Sequence, residues 1–174
     1  MNKKELHKLL DYECGTHWMG GAKFVFIPEK HSLWLFRKAQ YHASNNGIWH
    51  RFMKRYYCSK LAHLYGILAS PNAIIGKGLR FVHPTSIVIG AHVVAGENLS
   101  LYQNTTLGGA RTGDVKKGNQ PSIGDNVTVF CGSAVLGNIK VGNNVIVAAN
   151  STLLKDVSDN CVCVGSPARI IEKQ

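Results

Sequence analysis

The chain has 174 residues and a mass of 19.0 kDa, a length that suits one domain or one domain with a short appendage. Hydrophobic residues make up 45% and charged residues 17%, which excludes an intrinsically disordered chain. No apolar run approaches the ~20 residues that a membrane span needs. The five cysteines form no CxxC pair and no apolar signal segment follows the N-terminus, so we expect a reduced, cytoplasmic protein.

The formal net charge is +10, and most of the excess lies in the first third of the chain. Residues 1–66 hold 11 basic and 4 acidic side chains. No recognition motif for nucleic acid accompanies this charge, so a nucleic-acid partner is not expected. An anionic acceptor, a membrane surface or a plain solvated basic face all remain open.

Residues 1–66 are predicted to form an N-terminal helical region. Pro28 and Glu29 open one helical stretch over residues 32–44, which Asn-Asn-Gly then breaks. A second helix is predicted over Ile48–Tyr65, where apolar residues recur at a spacing of three to five with basic residues between them. This basic amphipathic helix either packs on its neighbour with its charges in water or makes peripheral contact with a lipid-phosphate surface.

After residue 67 the chain follows a period of six residues, which is neither helical nor a simple alternating strand. The apolar positions of this repeat are Ile75, Phe81 and Ile87, then, after a two-residue slip, Ile89, Ala95, Leu101 and Leu107, and further on Ile123, Val129, Val135, Val141, Val147 and Leu153. Such a period is typical of a parallel β-helix, in which each hexapeptide forms one side of a triangular coil. Residues 67–174 are therefore predicted to form one β-helical domain.

Two segments depart from the repeat. Residues 110–121 form a polar insertion, which in a solenoid is expected to be a surface loop. This loop is either an ordinary exposed connection or a functional segment. Residues 164–170 contain Gly-Ser-Pro and are expected to cap the open end of the coil at the C-terminus.

Several motifs resemble the serine acetyltransferase branch of the hexapeptide acyltransferases. They are residues 75–90, Thr-Leu-Gly-Gly at 106–109, residues 135–142 and Gly-Ser-Pro-Ala-Arg at 165–169. Within that branch, residues 93–98 and the short N-terminal region are more similar to sugar O-acetyltransferases of capsule, exopolysaccharide and colanic-acid-type pathways. The resemblance implies a left-handed parallel β-helix, a homotrimer, and an acetyl-CoA cleft between neighbouring subunits.

His83 is the predicted catalytic base. A hydroxyl is a poor nucleophile, so a positioned base must take its proton as it attacks the thioester of acetyl-CoA. By resemblance, His83 matches the catalytic histidine of the family, whereas His92 occupies an outward, variable position and is expected to be a surface residue. A zinc-dependent hydratase of the same repeat class would need three histidines on one metal, and no histidine follows His92. No metal is expected.

The resemblance also assigns the cofactor. Gly108 and Gly109 are candidates for the backbone donors that stabilise the oxyanion. The positions that match the CoA-binding residues of the family are Cys131, Ala149, Lys155 and Arg169. Lys155 and Arg169 are alternatively ordinary solvated charges. An acyl-cysteine at Cys131 is disfavoured, because no neighbour in sequence would activate the thiol and the family transfers the acetyl group directly.

The acceptor is predicted from the positions that depart from the family. Serine acetyltransferases carry charged or histidine side chains where this chain has Val82, Leu68, Asn119 and Gln120. Because burying an unpaired zwitterion is costly, we expect a sugar hydroxyl as acceptor, on a nucleotide sugar, a lipid-linked glycan or a polysaccharide. Gln103, one coil beyond His83, is a candidate contact to the acceptor or to the imidazole. Serine O-acetylation in cysteine biosynthesis and a non-enzymatic scaffold are the alternatives.

Overall fold

The computed structural model describes residues 1–15 and 23–173, and begins with a helical region. Its helices are α1 (Lys3–Cys14), a short 3-10 helix (Lys23–Phe26), α2 (Pro28–Ala43) and α3 (Ile48–Tyr65). The helices expected before and after the Asn-Asn-Gly break are both present. Within the described residues, no helix combines the length and the apolar content that crossing a bilayer requires.

From residue 68 onward the chain forms short strands. In chain order they are β1 (Leu68–Ala69), β2 (Ile74–Ile75), β3 (Arg80–Phe81), β4 (Val88–Ile89), β5 (Val94–Ala95), β6 (Ser100–Leu101), β7 (Thr106–Gly108), β8 (Ser122–Ile123), β9 (Thr128–Val129), β10 (Ala134–Leu136), β11 (Lys140–Val141), β12 (Ile146–Val147), β13 (Thr152–Leu153), β14 (Cys161–Val164) and β15 (Arg169–Glu172). They pair into three sheets, in the orders β1-β4-β7-β10-β13, β2-β5-β8-β11 and β3-β6-β9-β12-β14-β15.

Up to β13, every third strand joins the same sheet, so the chain winds as a three-sided coil. Pairing is parallel throughout except between β14 and β15. The apolar residues of the six-residue repeat all point into the shaft and are buried, as at Phe81, Leu101 and Val129. The predicted parallel β-helix is therefore confirmed, and its left-handed winding stays a prediction.

One corner of the coil is held by a ladder of amide side chains. Asn98, Asn126, Asn144 and Asn160 all have φ between 57° and 59°, the left-handed region that asparagine tolerates better than most residues. Each of the first three donates its side-chain Nδ2 to the Oδ1 of the asparagine in the next coil, at 2.9–3.2 Å. The ladder fixes the stacking of successive coils at this corner.

The helices are attached to the first coil through packing and through one buried ion pair. The rings of Phe36 in α2 and Phe81 in β3 meet edge to face at 5.8 Å. The guanidinium of Arg37 pairs with the carboxylate of Glu13 at 2.6 Å and donates to the carbonyl oxygens of Ile75 and Gly76 at 2.9 and 2.6 Å. Because both charged side chains are almost fully buried, this contact ties α1, α2 and the coil together.

The insertion at residues 110–121 has a defined structure that its composition does not reveal. It contains a four-residue helix, α4 (Asp114–Lys117). The Asp114 carboxylate accepts hydrogen bonds from the backbone N–H groups of Ala110 and Arg111 at 2.9 and 2.7 Å, and from the side-chain Nδ2 of Asn119 at 3.2 Å. The bond from Asn119, followed by the backbone bond from Arg111, lowers the pKa of Asp114.

Candidate active site

His83 stands on an enlarged corner of the first coil. Phe81 pairs with Leu101 and Val88 pairs with Thr106, so this corner holds two more residues than the same corner of the second coil. The extra residues account for the slip in the six-residue period. The first coil therefore projects a short loop that carries His83, whose side chain is exposed.

The backbone at this corner is tightly turned. His83 has φ 56°, and the N–H of Thr85 donates to the carbonyl oxygen of His83 at 2.7 Å, which closes a three-residue turn around Pro84. Among the described residues other than glycine, positive φ values occur at six asparagines, at Ser86 and at His83. A histidine in this region is uncommon, and strained backbone of this kind concentrates at functional sites.

An aromatic wall runs beside His83. The ring of Tyr102 lies 6.1 Å from the His83 ring, at an angle of 69°. Phe130, at the same position one coil further on, stacks on Tyr102 at 4.7 Å. Sequence reasoning missed both residues, although their equal register after Leu101 and Val129 is a signal that could have found them.

The predicted cofactor residues Cys131 and Ala149 lie in one column with Gln103. The registers of β6, β9 and β12 place these three residues at the same corner in successive coils. The column descends from the corner that carries His83. The amide oxygen Oε1 of Gln103 is buried and has no hydrogen-bond partner in the described part of the chain.

Lys155 and Arg169 lie at the last coil. The registers of β7, β10 and β13 place Lys155 on the edge that carries Gly109, and Arg169 pairs with Val164 on β14. Together with residues 164–168 they line an open cleft of about 760 Å³. Four coil spacings of about 4.8 Å separate the level of β3 from that of β14, or roughly 19 Å. The His83 corner and the cleft lined by Lys155 and Arg169 thus lie at opposite ends of the solenoid.

Gly108 and Gly109 are not brought to His83 within one chain. Gly108 ends β7 and pairs with Leu136, so it lies at the opposite edge of the sheet that begins after the His83 corner. His92 is exposed, as expected for a surface residue. No group of three or more His, Cys, Asp or Glu suited to a metal occurs within residues 1–15 and 23–173.

The positions that depart from the family serve visible structural purposes or face solvent. Gln120 is buried, and its Oε1 accepts the backbone N–H of His92 at 2.8 Å. Asn119 bonds Asp114 within the loop. Leu68 is exposed on β1. Gln120 therefore holds the loop on the solenoid, and Asn119 stabilises the loop internally.

A second cleft opens beside Val82. It has a volume of about 320 Å³, and its charged lining includes Glu29 and Lys30 at the start of α2 and Arg80 in β3. Charged groups of both signs therefore lie next to the residue that precedes His83, although sequence reasoning found none there.

Comparison with known proteins agrees with this geometry. The family described as bacterial transferase hexapeptide (six repeats) matches residues 120–155. A serine acetyltransferase of Staphylococcus epidermidis is 40% identical over 125 residues, covering 71% of this chain and 58% of that protein. The chain thus carries a hexapeptide-repeat segment and is similar to part of a serine acetyltransferase. It spans less than two thirds of that relative's length.

Solved structures show the same fold. The serine acetyltransferase of Brucella abortus superposes with a TM-score of 0.81 at 28% identity, over 98% of this chain and 70% of that one. A serine acetyltransferase in complex with CoA superposes with a TM-score of 0.75 at 24% identity, over 97% of this chain and 71% of that one. At that identity the second likeness shows the fold alone.

The predicted sugar acceptor is wrong. The relatives named above are serine acetyltransferases, and nothing in the comparisons supports the capsule or colanic-acid branch or a role in polysaccharide synthesis. The prediction interpreted four departures from the family pattern as the loss of a serine-binding site. The structure gives another reason for two of them, since Asn119 and Gln120 hold the loop in place.

Proposed function

We propose that this protein is an acetyl-CoA-dependent serine O-acetyltransferase. The imidazole of His83 takes the proton of the serine hydroxyl as its oxygen attacks the thioester carbon. The C–S bond then breaks, CoA leaves as the thiol, and O-acetylserine is the product. The observation that carries the proposal is the exposed His83 on its two-residue insertion, in a solenoid 40% identical to a serine acetyltransferase.

Acetyl-CoA would lie along the column below His83. The thioester would sit beside His83, the pantetheine arm would pass Cys131 and Ala149, and the phosphates would reach Lys155 and Arg169 in the far cleft. The main-chain groups along this column are suited to bind the CoA arm, because the stacked coils fix their positions. Cations at one end and a base at the other match the two ends of the cofactor.

Serine would be held in the cleft beside Val82. Its ammonium group requires an anion and its carboxylate requires a cation, since an unpaired charge is costly to bury. Glu29 and Arg80 offer one of each in this cleft. We therefore assign acceptor binding to residues on α2 and β3.

Three copies of the chain would form the complete enzyme, in the cytoplasm. His83 and the Gly108–Gly109 pair lie at opposite edges of one sheet. A neighbouring subunit that packs its glycine edge against the His83 corner would bring both to one reacting carbon. We also propose that the chain consists of two parts, a helical region at residues 1–66 and a β-helical domain at residues 67–174.

The test is thiol release from acetyl-CoA with L-serine as acceptor. We expect a serine-dependent rate with a kcat/KM in the ordinary enzyme range of ~10⁴–10⁸ M⁻¹s⁻¹. Arg80→Gln should raise KM for serine and leave KM for acetyl-CoA unchanged. Lys77→Gln, an exposed cation in the same coil, is the matched control. A rate that does not depend on serine would refute the proposal.

A further inference from the structure

The face of α3 that points away from α2 is an unusual surface. Ile48, Trp49, Phe52 and Tyr56 are 80%, 64%, 61% and 45% exposed. With 3.6 residues per turn, these four side chains form one stripe along the first half of the helix. We call these four residues the α3 stripe. Single exposed apolar residues are ordinary, whereas a contiguous aromatic stripe indicates a contact surface.

Basic side chains flank the α3 stripe. Arg51 and Arg55 are exposed one turn apart on one side of it. On the other side, the ammonium group of Lys60 lies 5.8 Å from the centre of the Tyr56 ring. The helix therefore presents an apolar strip with positive charge on both sides.

The part of the chain around the α3 stripe is free of acidic residues. The sequence contains no Asp or Glu between Glu29 and Glu97, a segment that includes most of α2, all of α3 and the first coil. A contact between the α3 stripes of two copies would therefore set these cations against each other without a carboxylate to pair them. The charge pattern favours an anionic partner over a second copy.

Lipid headgroups fit the chemistry of this surface best. Helices that lie in the membrane interface combine a polar face rich in Lys and Arg with Trp, Phe and Leu on the other face. Trp and Tyr are also the residues enriched where headgroups meet acyl chains. The stripe lies on the outside of a helix of 18 residues, about 27 Å long, and such a surface can lie flat on a bilayer.

We propose that α3 docks this protein on membranes that contain anionic lipids. The apolar side chains of the α3 stripe would enter the headgroup region, and Arg51, Arg55 and Lys60 would contact lipid phosphates. This attachment would be peripheral and reversible, because it uses one helix face and screened charges. It is independent of the acetyl transfer, since none of these residues lines the His83 corner or the two clefts.

Vesicle co-sedimentation of the full chain tests the proposal. We expect binding to vesicles of equal parts phosphatidylcholine and phosphatidylglycerol at low salt. Binding should be weak at high salt and weak with phosphatidylcholine alone. Replacing Arg51 and Arg55 together by Gln should weaken binding about 25-fold, at roughly fivefold per basic residue. Trp49→Ala combined with Phe52→Ala should weaken it at every salt concentration.

A matched control variant removes basic and apolar side chains from the loop at residues 110–121 instead of from α3. The triple variant Val115→Ala, Lys116→Gln, Lys117→Gln loses two exposed cations and an exposed apolar side chain, and it should bind vesicles like the wild type. All variants should keep the helical circular-dichroism signal, because the changed residues are exposed. Two results would overturn the proposal. One is equal binding by all variants. The other is no vesicle binding by the wild type; a smaller oligomer for the Trp49 and Phe52 variant would then make the stripe an interface between copies.

Discussion

Gln103 holds a buried amide oxygen that receives no hydrogen bond within the described residues. Leaving such an acceptor unpaired costs about 1–3 kcal/mol, and a residue that acts only in packing would be better replaced by an apolar one. Its position one coil beyond Phe81 places it next to the His83 corner. We therefore interpret Gln103 as a positioning residue for His83 or the acceptor.

The variant Gln103→Leu distinguishes a positioning role of Gln103 from a role in packing alone. If the amide oxygen receives a proton donor during the reaction, we expect kcat to fall while the melting temperature stays level or rises. The measurement is steady-state kinetics beside thermal unfolding of the same preparation. Unchanged kcat with higher stability would leave Gln103 a packing residue.

Lys155 and Arg169 line one cleft at the last coil. A phosphate clamp binds the ground state and the transition state about equally, so its loss raises KM without lowering kcat. We expect Lys155→Ala and Arg169→Ala to raise KM for acetyl-CoA and to leave KM for serine unaltered. Lys140→Ala, on β11 in another sheet, is the control. An unaltered KM for acetyl-CoA in both variants would mean that these are ordinary surface charges.

At the scale of elements, one buried ion pair adds to the packing that attaches the helical region to the coil. Arg37 is 1% exposed and bonds Glu13 and two carbonyl groups of the coil. Removing one partner of a buried pair leaves the other charge uncompensated, at a cost of about 3–5 kcal/mol. We expect that loss of unfolding free energy for Arg37→Met, measured by urea denaturation. The exposed pair of Lys77 and Glu97, at 3.3 Å, is the control, and Lys77→Met should cost about 0–1 kcal/mol. Equal losses would show that Arg37 does not anchor the helices.

The loop at residues 110–121 is organised by an ionised carboxylate. Hydrogen bonds from Asn119 and from the Arg111 backbone lower the pKa of Asp114. A lowered pKa means that the folded loop favours the ionised form. The stabilisation is therefore complete above the ordinary carboxyl pKa of about 3.9 and is lost as the pH falls through the lower folded value.

Hydrogen exchange tests this organisation. The amides of Ala110 and Arg111 donate to Asp114, so we expect them to be protected at pH 5 and to lose protection as the pH falls through the lowered pKa of Asp114, which lies below the ordinary carboxyl value of about 3.9. Asp114→Ala should lose it at every pH and should be cut faster by trypsin at the exposed Arg111, Lys116 and Lys117. Protection that persists in Asp114→Ala would contradict the assignment.

At the scale of the whole molecule, the β-helix could be predicted because one rule repeats in every coil. Phe81, Leu101 and Val129 must each face the shaft, so the period of six appears directly in the sequence. The amphipathic period and the Asn-Asn-Gly break located α2 and α3 in the same way.

The site was harder to predict, because it depends on contacts between distant parts of the chain. Glu29 and Arg80 line one cleft although 50 residues separate them. Gln120 looks like a free loop residue in the sequence, yet it is buried and bonds the backbone of His92. Treating Gln120 as a lost serine ligand led to the wrong acceptor.

The central claim is that His83 is the general base for acetyl transfer from acetyl-CoA to serine. The most direct measurement compares O-acetylserine formation by the wild type and by His83→Asn, since asparagine tolerates the positive φ at this corner. We predict a fall in kcat of about 10²–10⁴ with an unchanged dissociation constant for acetyl-CoA, while His92→Asn keeps the wild-type rate. A His83→Asn enzyme that still forms O-acetylserine at close to the wild-type rate would contradict the account.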